Sequence, residues 1–224
     1  MMMGPGRCAA ALAMCWLTLA GTSAPPPPPS DTLEDAVLAE INFVRTHPRD
    51  YADDLRRYRD LFDGRVVHLP GDPVGEMTNE GTDAVDEAID FLDRQAPLPA
   101  LEPGALLARA ARGFADEQGA SGYTGHRSAD GEMPGDRVKR LGGGIFVGET
   151  ISYGYDDPVA VVRQLIIDDG LPGRGHRALI FSPGSLYAGV GCGVHPRNRF
   201  LCVIDYSASP DGGPNLPKFV AARR

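Results

Sequence analysis

Helical and extended patterns are unevenly distributed along these 224 residues: amphipathic helices crowd the first half and strands the second. That order favours an α+β domain around an antiparallel sheet over a doubly wound parallel one, which needs the two patterns in alternation. The sheet then needs helices on both faces to bury their apolar stripes. Val37, Leu38, Ile41 and Val44 recur at helical spacing behind Thr32-Leu33-Glu34-Asp35, an N-cap followed three positions later by an acid. The spacing predicts a helix to about Thr46. Pro48, well tolerated at a first helical position, opens a second helix through Tyr51, Leu55, Tyr58 and Phe62. Gly64 to Glu80, rich in glycine and proline, reads as an exposed loop. Thr82 is expected to cap a third helix carrying Val85, Ile89 and Leu92. A fourth runs from near Pro103 to just before Gly119, and a glycine-rich irregular stretch follows to Gly144.

In the second half Phe146 to Tyr153 reads as a strand, and Asp157-Pro158 opens a helix that ends at Gly170. Val190 to Val194 and Phe200 to Tyr206 read as strands around the turn His195 to Arg199. In a symmetric hairpin Cys192 lies opposite Cys202, at a separation that a disulfide bridges. The N-terminus points the same way. Arg7 precedes the apolar run Cys8 to Ala20, with small residues at its end, the pattern of a secretory signal over residues 1–20. At roughly 12–13 apolar residues the run is too short to span a bilayer. An exported chain meets oxidising conditions, so Cys192 and Cys202 are expected to pair, adding about 2–3 kcal/mol for so small a loop. Residues 21–32, with Pro25 to Pro29, form a stiff linker. Residues 33–208 are long enough for one buried core, and 209–224 read as a loose tail.

The formal net charge is −8 and no basic cluster is present, which argues against nucleic acid as a partner. Histidine is scarce, five in the chain, yet two share a local pattern: Gly125-His126-Arg127 and Gly175-His176-Arg177, with Gly148-Glu149-Thr150 between them. Imidazole is a metal ligand or an acid–base group near neutral pH, so the expected product is one shared polar site. The spacings match no compact zinc motif.

The ordered set Gly125-His126, Gly148-Glu149-Thr150, Gly175-His176-Arg177 and Gly189-Val190-Gly191 resembles the CAP superfamily, the SCP-like extracellular proteins. Leu38-Ala39-Glu40-Ile41-Asn42 with Arg45 also resembles the first helix of bacterial members, and the likeness extends roughly from Leu33 to Ser207. The resemblance implies a three-layer α–β–α sandwich with a central antiparallel sheet and an open cleft. It also implies a cleft of two histidines and two acids able to bind a divalent metal such as zinc. Carried onto this chain, the metal-site candidates are His126, His176, Glu149 and Asp168, with Asp169 as the alternative if the register slips by one. The family's Trp-x-x-Glu segment is Leu165-Ile166-Ile167-Asp168 here, and aspartate is one methylene shorter.

The implied function is that of an exported binding or recognition module. The family's ligand classes are lipids and sterols, cell-surface glycans and protein partners, and the sequence selects none of them, nor an oligomeric state. No stable membrane span is expected after signal cleavage. The alternative is a metal-dependent hydrolase, peptidase-like, with His126 and His176 as ligands and Glu149 as general base. No His-Glu-x-x-His segment supports it, and Ser121 and Ser128 read as turn residues rather than nucleophiles. His47, His68 and His195 read as solvated. Arg127 and Arg177 read as salt-bridge partners of Glu149, Asp168 or Asp169, with orientation of an anionic ligand as the alternative, and Tyr153 and Tyr155 as candidates to line the cleft.

Overall fold

Thr32 starts the fold: its hydroxyl accepts from the Asp35 N–H at 3.1 Å and closes the first turn of α1 (Leu33–Thr46). The computed structural model describes Met1 and residues 32–214. The expected signal and proline run, Met1 and Thr32 apart, and the end of the tail lie outside the described residues. After α1 come α2 (Pro48–Arg59), β1 (Phe62–Asp63), β2 (Val66–Val67), β3 (Glu76–Met77), α3 (Thr82–Arg94), β4 (Glu102–Pro103), α4 (Ala105–Ser121) and α5 (Pro134–Arg140). The chain continues through β5 (Gly148–Tyr153), α6 (Pro158–Ile167), α7 (Gly175–Ile180), β6 (Tyr187–His195) and β7 (Arg199–Ser207).

The main sheet has the order β4-β6-β7-β5, antiparallel except for the short parallel pair of β4 and β6. Its two faces are covered unequally. On one, α1, α2, α3 and α6 bury Val37, Ile41, Leu55, Leu92 and Leu165 against Val190, Ile204 and Tyr206. On the other, α4 sets Ala111, Phe114 and Ala115 on Ile151, Leu201 and Val203. This is the expected three-layer α+β architecture. The Gly-Val-Gly segment explains how close α4 lies. A Cβ at Gly189 would stand 2.0 Å from the Ala108 nitrogen, and one at Gly191 2.2 Å from that of Arg112. Only glycine admits that approach.

Two residues of the first-helix motif tie the layers together. The Asn42 side chain donates to Leu101 O at 3.0 Å and accepts from Leu101 N–H at 2.7 Å. Buried Arg45 donates to the carbonyls of Pro99, Ile180 and Ser185. Cys192 and Cys202 are directly paired in the hairpin register and joined by a disulfide, as the strand reading requires.

Several boundaries differ from expectation. The second helix stops at Arg59, and Phe62, expected at its end, begins a small antiparallel sheet, β1-β2-β3, whose β2 and β3 lie inside the segment expected to be loop. Strands of two residues are too short to show alternation. Gly81, with φ 64°, holds the cap position of α3, and Thr82 is its first helical residue. The fourth helix runs past Gly119 to Ser121, because a side chain at Gly119 would meet Val194 O at 2.7 Å and packing on β6 keeps the turn helical. The stretch expected to be irregular contains α5, with Pro134 at N1 and the Asp136 carboxylate accepting from Met133 N–H at 3.0 Å. The tail's first residues are fastened: Gly144 N–H donates to Asp211 O at 2.8 Å and Phe146 N–H to Gly212 O at 3.0 Å.

Candidate functional site at the free edge of the sheet

Strand β5 is an outer strand, and the two motif histidines reach its free side from opposite layers. His126 sits in the turn after α4, and His176 is the second residue of α7, which packs beside α6. Both line a cavity of about 450 Å³ whose wall includes Ile151, Tyr153 and Tyr155. Part of its rim comes from Glu76, Met77 and Thr78, in and just after β3.

Each histidine is held by a carboxylate through the same ring nitrogen. His126 Nδ1 is 2.8 Å from Glu149 Oε1, and His176 Nδ1 is 2.6 Å from Asp168 Oδ1. An ionised carboxylate only accepts, so both Nδ1 atoms carry the proton. In a neutral ring the lone pair is then on Nε2, and neither Nε2 has a hydrogen-bond partner among the described residues. Asp168 overcomes its short side chain by its backbone position. It ends α6 in the left-handed conformation (φ 59°), which turns the carboxylate back to accept also from His176 N–H at 3.0 Å. Asp169 serves elsewhere, accepting from Asn79 and Glu80 N–H at 2.7 and 2.8 Å.

The Glu149 side chain is 1% exposed, and its second oxygen accepts from Arg137. Arg137 also donates to His126 O at 3.0 Å, and its guanidinium lies 3.6 Å over the Phe114 ring. Directly across the ladder from Glu149 stands Asp205, fully buried, with no hydrogen-bond partner for either oxygen among the described residues. Burial and then the Glu149 charge push the Asp205 carboxyl well above the usual carboxylate range, against the pull of Arg137. Arg137 and Asp205 were not singled out from sequence. The alternation of side chains along β7 places Asp205 on an inward face, which was the available signal.

The arginines beside the histidines do other work than expected. Arg127 is exposed and donates to Gly131 O, and Arg177 is buried and donates to Ile166 O and Glu87. Neither pairs with Glu149, Asp168 or Asp169. Arg174 instead braces the second histidine's turn, binding Glu80, Glu87 and Asp168 O. Arg174 and the Gly170 N–H hold the Glu80 carboxyl down at about 2.

Tyr153, on the cavity wall, accepts from Gly125 N–H at 2.9 Å and donates to Gln118 at 2.7 Å, fixing the His126 turn. Ser128 closes a local turn with Asp130 and Glu132, and Ser121 bonds Glu117 O. His47 and His68 are exposed as expected. His195 is not: it is 1% exposed, accepts at Nδ1 from the N–H groups of Arg197 and Asn198, and donates from Nε2 to Tyr123 O. It organises the β6–β7 turn, where a short hairpin loop needs an internal acceptor for its free N–H groups.

A divalent metal is implied by the resemblance, and the donor set can be tested against it. Among the described residues no three His, Cys, Asp or Glu side chains converge as ligands. Two imidazoles, each with a carboxylate on Nδ1 and Nε2 unengaged, form the carboxylate–histidine pairs that orient metal-binding rings. In donor chemistry each pair suits a metal-binding imidazole, with Glu149 and Asp168 orienting the rings.

Residues 38–206 match the model of the cysteine-rich secretory protein family, CAP, and the chain belongs to that family. Among solved structures it is similar to an extracellular protein containing an SCP domain from Bacillus anthracis str. Ames. That match has 23% identity and TM-score 0.44, and it covers 55% of this chain and 37% of that one. An outer surface protein from Borrelia burgdorferi matches at 17% identity and TM-score 0.41, covering 49% of this chain and 77% of the other. No curated protein matches the chain. Among the described residues no helix is long and apolar enough to cross a membrane.

Proposed function

We propose that this is an exported CAP-domain binding module whose cleft takes a divalent metal on His126 and His176 and a ligand beside it. The observation that carries the reading is that His126 and His176 line one cavity and each has its Nδ1 paired with a carboxylate, at 2.8 and 2.6 Å. His126 and His176 would hold the ion through Nε2, with Glu149 and Asp168 fixing the rings. When bound, such an ion supplies positive charge and open coordination positions for an oxygen donor. Export is supported by the N-terminal sequence pattern and the Cys192–Cys202 disulfide.

Binding is favoured over hydrolysis by the state of Glu149. Both of its oxygens are engaged, one by His126 and one by Arg137, and the side chain is 1% exposed. A general base needs reach to the proton it removes; Glu149 is a positioning residue in this arrangement. Calorimetric titration of Zn²⁺ into the purified protein tests the metal reading: binding is expected, and it is lost in both His126→Ala and His176→Ala. Absence of binding to the unaltered protein removes the centre. Chelator-sensitive turnover of casein or an ester, abolished by Glu149→Gln, would replace the binding reading with the hydrolase one.

A further inference from the structure

The free side of β5 offers backbone hydrogen bonds to the same cavity. Beyond the last ladder pair, Tyr153 with Leu201, the Gly154 N–H donates to Phe200 O at 2.9 Å. Antiparallel alternation then directs the peptide groups of Ser152 and Thr150 toward β7, and those of Tyr153, Ile151 and Glu149 away from it. Gln164 marks that parity at one position. Its side-chain amide accepts from Tyr153 N–H at 3.2 Å and donates to Tyr153 O at 3.1 Å. A primary amide in this pose makes the two bonds that a residue of a neighbouring strand would make.

Further along, Ile151 and Glu149 have no partner on that side among the described residues; Ile151 is 5% exposed, and the exposure of Glu149, whose side chain is 1% exposed, lies in its backbone. Buried backbone donors and acceptors are nearly always paired. An unpaired strand edge that borders the cavity at Ile151 and is open to solvent at Glu149 suits a ligand that carries peptide groups in a two-residue repeat. A sterol or acyl chain lacks that order of donors and acceptors, and a glycan lacks the repeat.

We propose that the cleft holds an extended polypeptide segment as an added strand on the free side of β5, bonded to Glu149 and Ile151. This is strand addition to an open sheet edge, and alternate side chains of the guest face His126 on one side and His176 on the other. The proposal rests on the reading of the cleft as a binding site and is independent of the metal.

The test begins with phage-displayed random dodecapeptides selected on the purified, folded protein. A recovered peptide is then synthesised with one backbone amide methylated at a time. Strand addition predicts a loss of affinity of up to about tenfold per bond, at alternate positions and not at those between. It also predicts that bound peptide slows hydrogen exchange of the Glu149 and Ile151 amides. Failure to recover any peptide with a protein whose amide spectrum shows it folded overturns the proposal. So does a methylation profile without a two-residue period, or protection confined to other strands. Zinc titration on the same sample reads the histidine pair separately: zinc binding without peptide sinks only the added strand, and peptide without zinc sinks only the metal.

Discussion

The two histidines of the cleft make the same bond by different means. His126 leans on Glu149, a carboxylate mounted on a sheet strand, backed by buried Arg137 and flanked by Asp205. His176 leans on Asp168, mounted on the end of a helix and held by a backbone turn, with its arginine brace mostly on neighbouring acids. The sheet-mounted side places ionised groups where water does not reach, so each depends on its partner. The helix-mounted side buries only the Asp168 carboxylate, and the acids that its arginine binds, Glu80 and Glu87, stay open to water. Similar geometry at the rings therefore conceals different tolerances to substitution.

The largest separation between the two sides is expected from Arg137→Ala. Removing that cation leaves Glu149 buried beside Asp205, and about 3–5 kcal/mol of stability should be lost, read by urea denaturation. A loss below about 1 kcal/mol would erase the contrast. Asp168→Ala removes two bonds to His176, whose side chain is 22% exposed and can turn to water, so a smaller loss of about 1.5–3 kcal/mol is expected. The same variant should weaken zinc about 10–100-fold, the usual effect of removing a carboxylate that orients a ligating histidine. Unchanged zinc affinity would show that Asp168 does not orient the ring.

Tyr153→Phe removes the hydroxyl that ties the His126 turn to β5 and should cost about 0.5–1.5 kcal/mol in the same unfolding assay. A neutral result would mean the turn is held by Arg137 and Gln118 alone. The smallest effect lies in the helical layer. Burial, with the Asp157 charge, pushes the Glu40 carboxyl up to about 6 from 4.5, against the pull of Arg163. The folded protein then holds a proton that the unfolded chain has released. Stability conferred by neutral Glu40 is full below about pH 4.5 and declines as pH rises to about 6. Glu40→Gln should flatten the stability profile in that window. An unaltered slope would show that Glu40 titrates normally.

The sequence made the architecture legible wherever long periodic segments met strong end signals. Thr32 and Asp157 cap their helices as read, and the disulfide register follows from the symmetry of the hairpin about its turn. The motif histidines and Glu149 were legible as a set, because glycine turns and scarce histidine stand out, whereas Asp168 came only from the family resemblance, with Asp169 as its alternative. Their supports were not. Arg137 lies on a helix of seven residues, too short for a periodic pattern, and Asp205 looks like any strand aspartate until its ladder partner is known. His195 was misread as solvated because a turn histidine reveals nothing of the N–H groups that converge on it.

The metal reading of the cleft depends on two imidazoles, each locked by its acid, offering Nε2 to one common ion. Anomalous diffraction from crystals grown with zinc tests this directly. The account predicts a single strong peak about 2.0–2.1 Å from Nε2 of both His126 and His176, with Glu149 and Asp168 still bonded to the far ring nitrogens. A peak bound to only one ring, or none in the cleft, would contradict it.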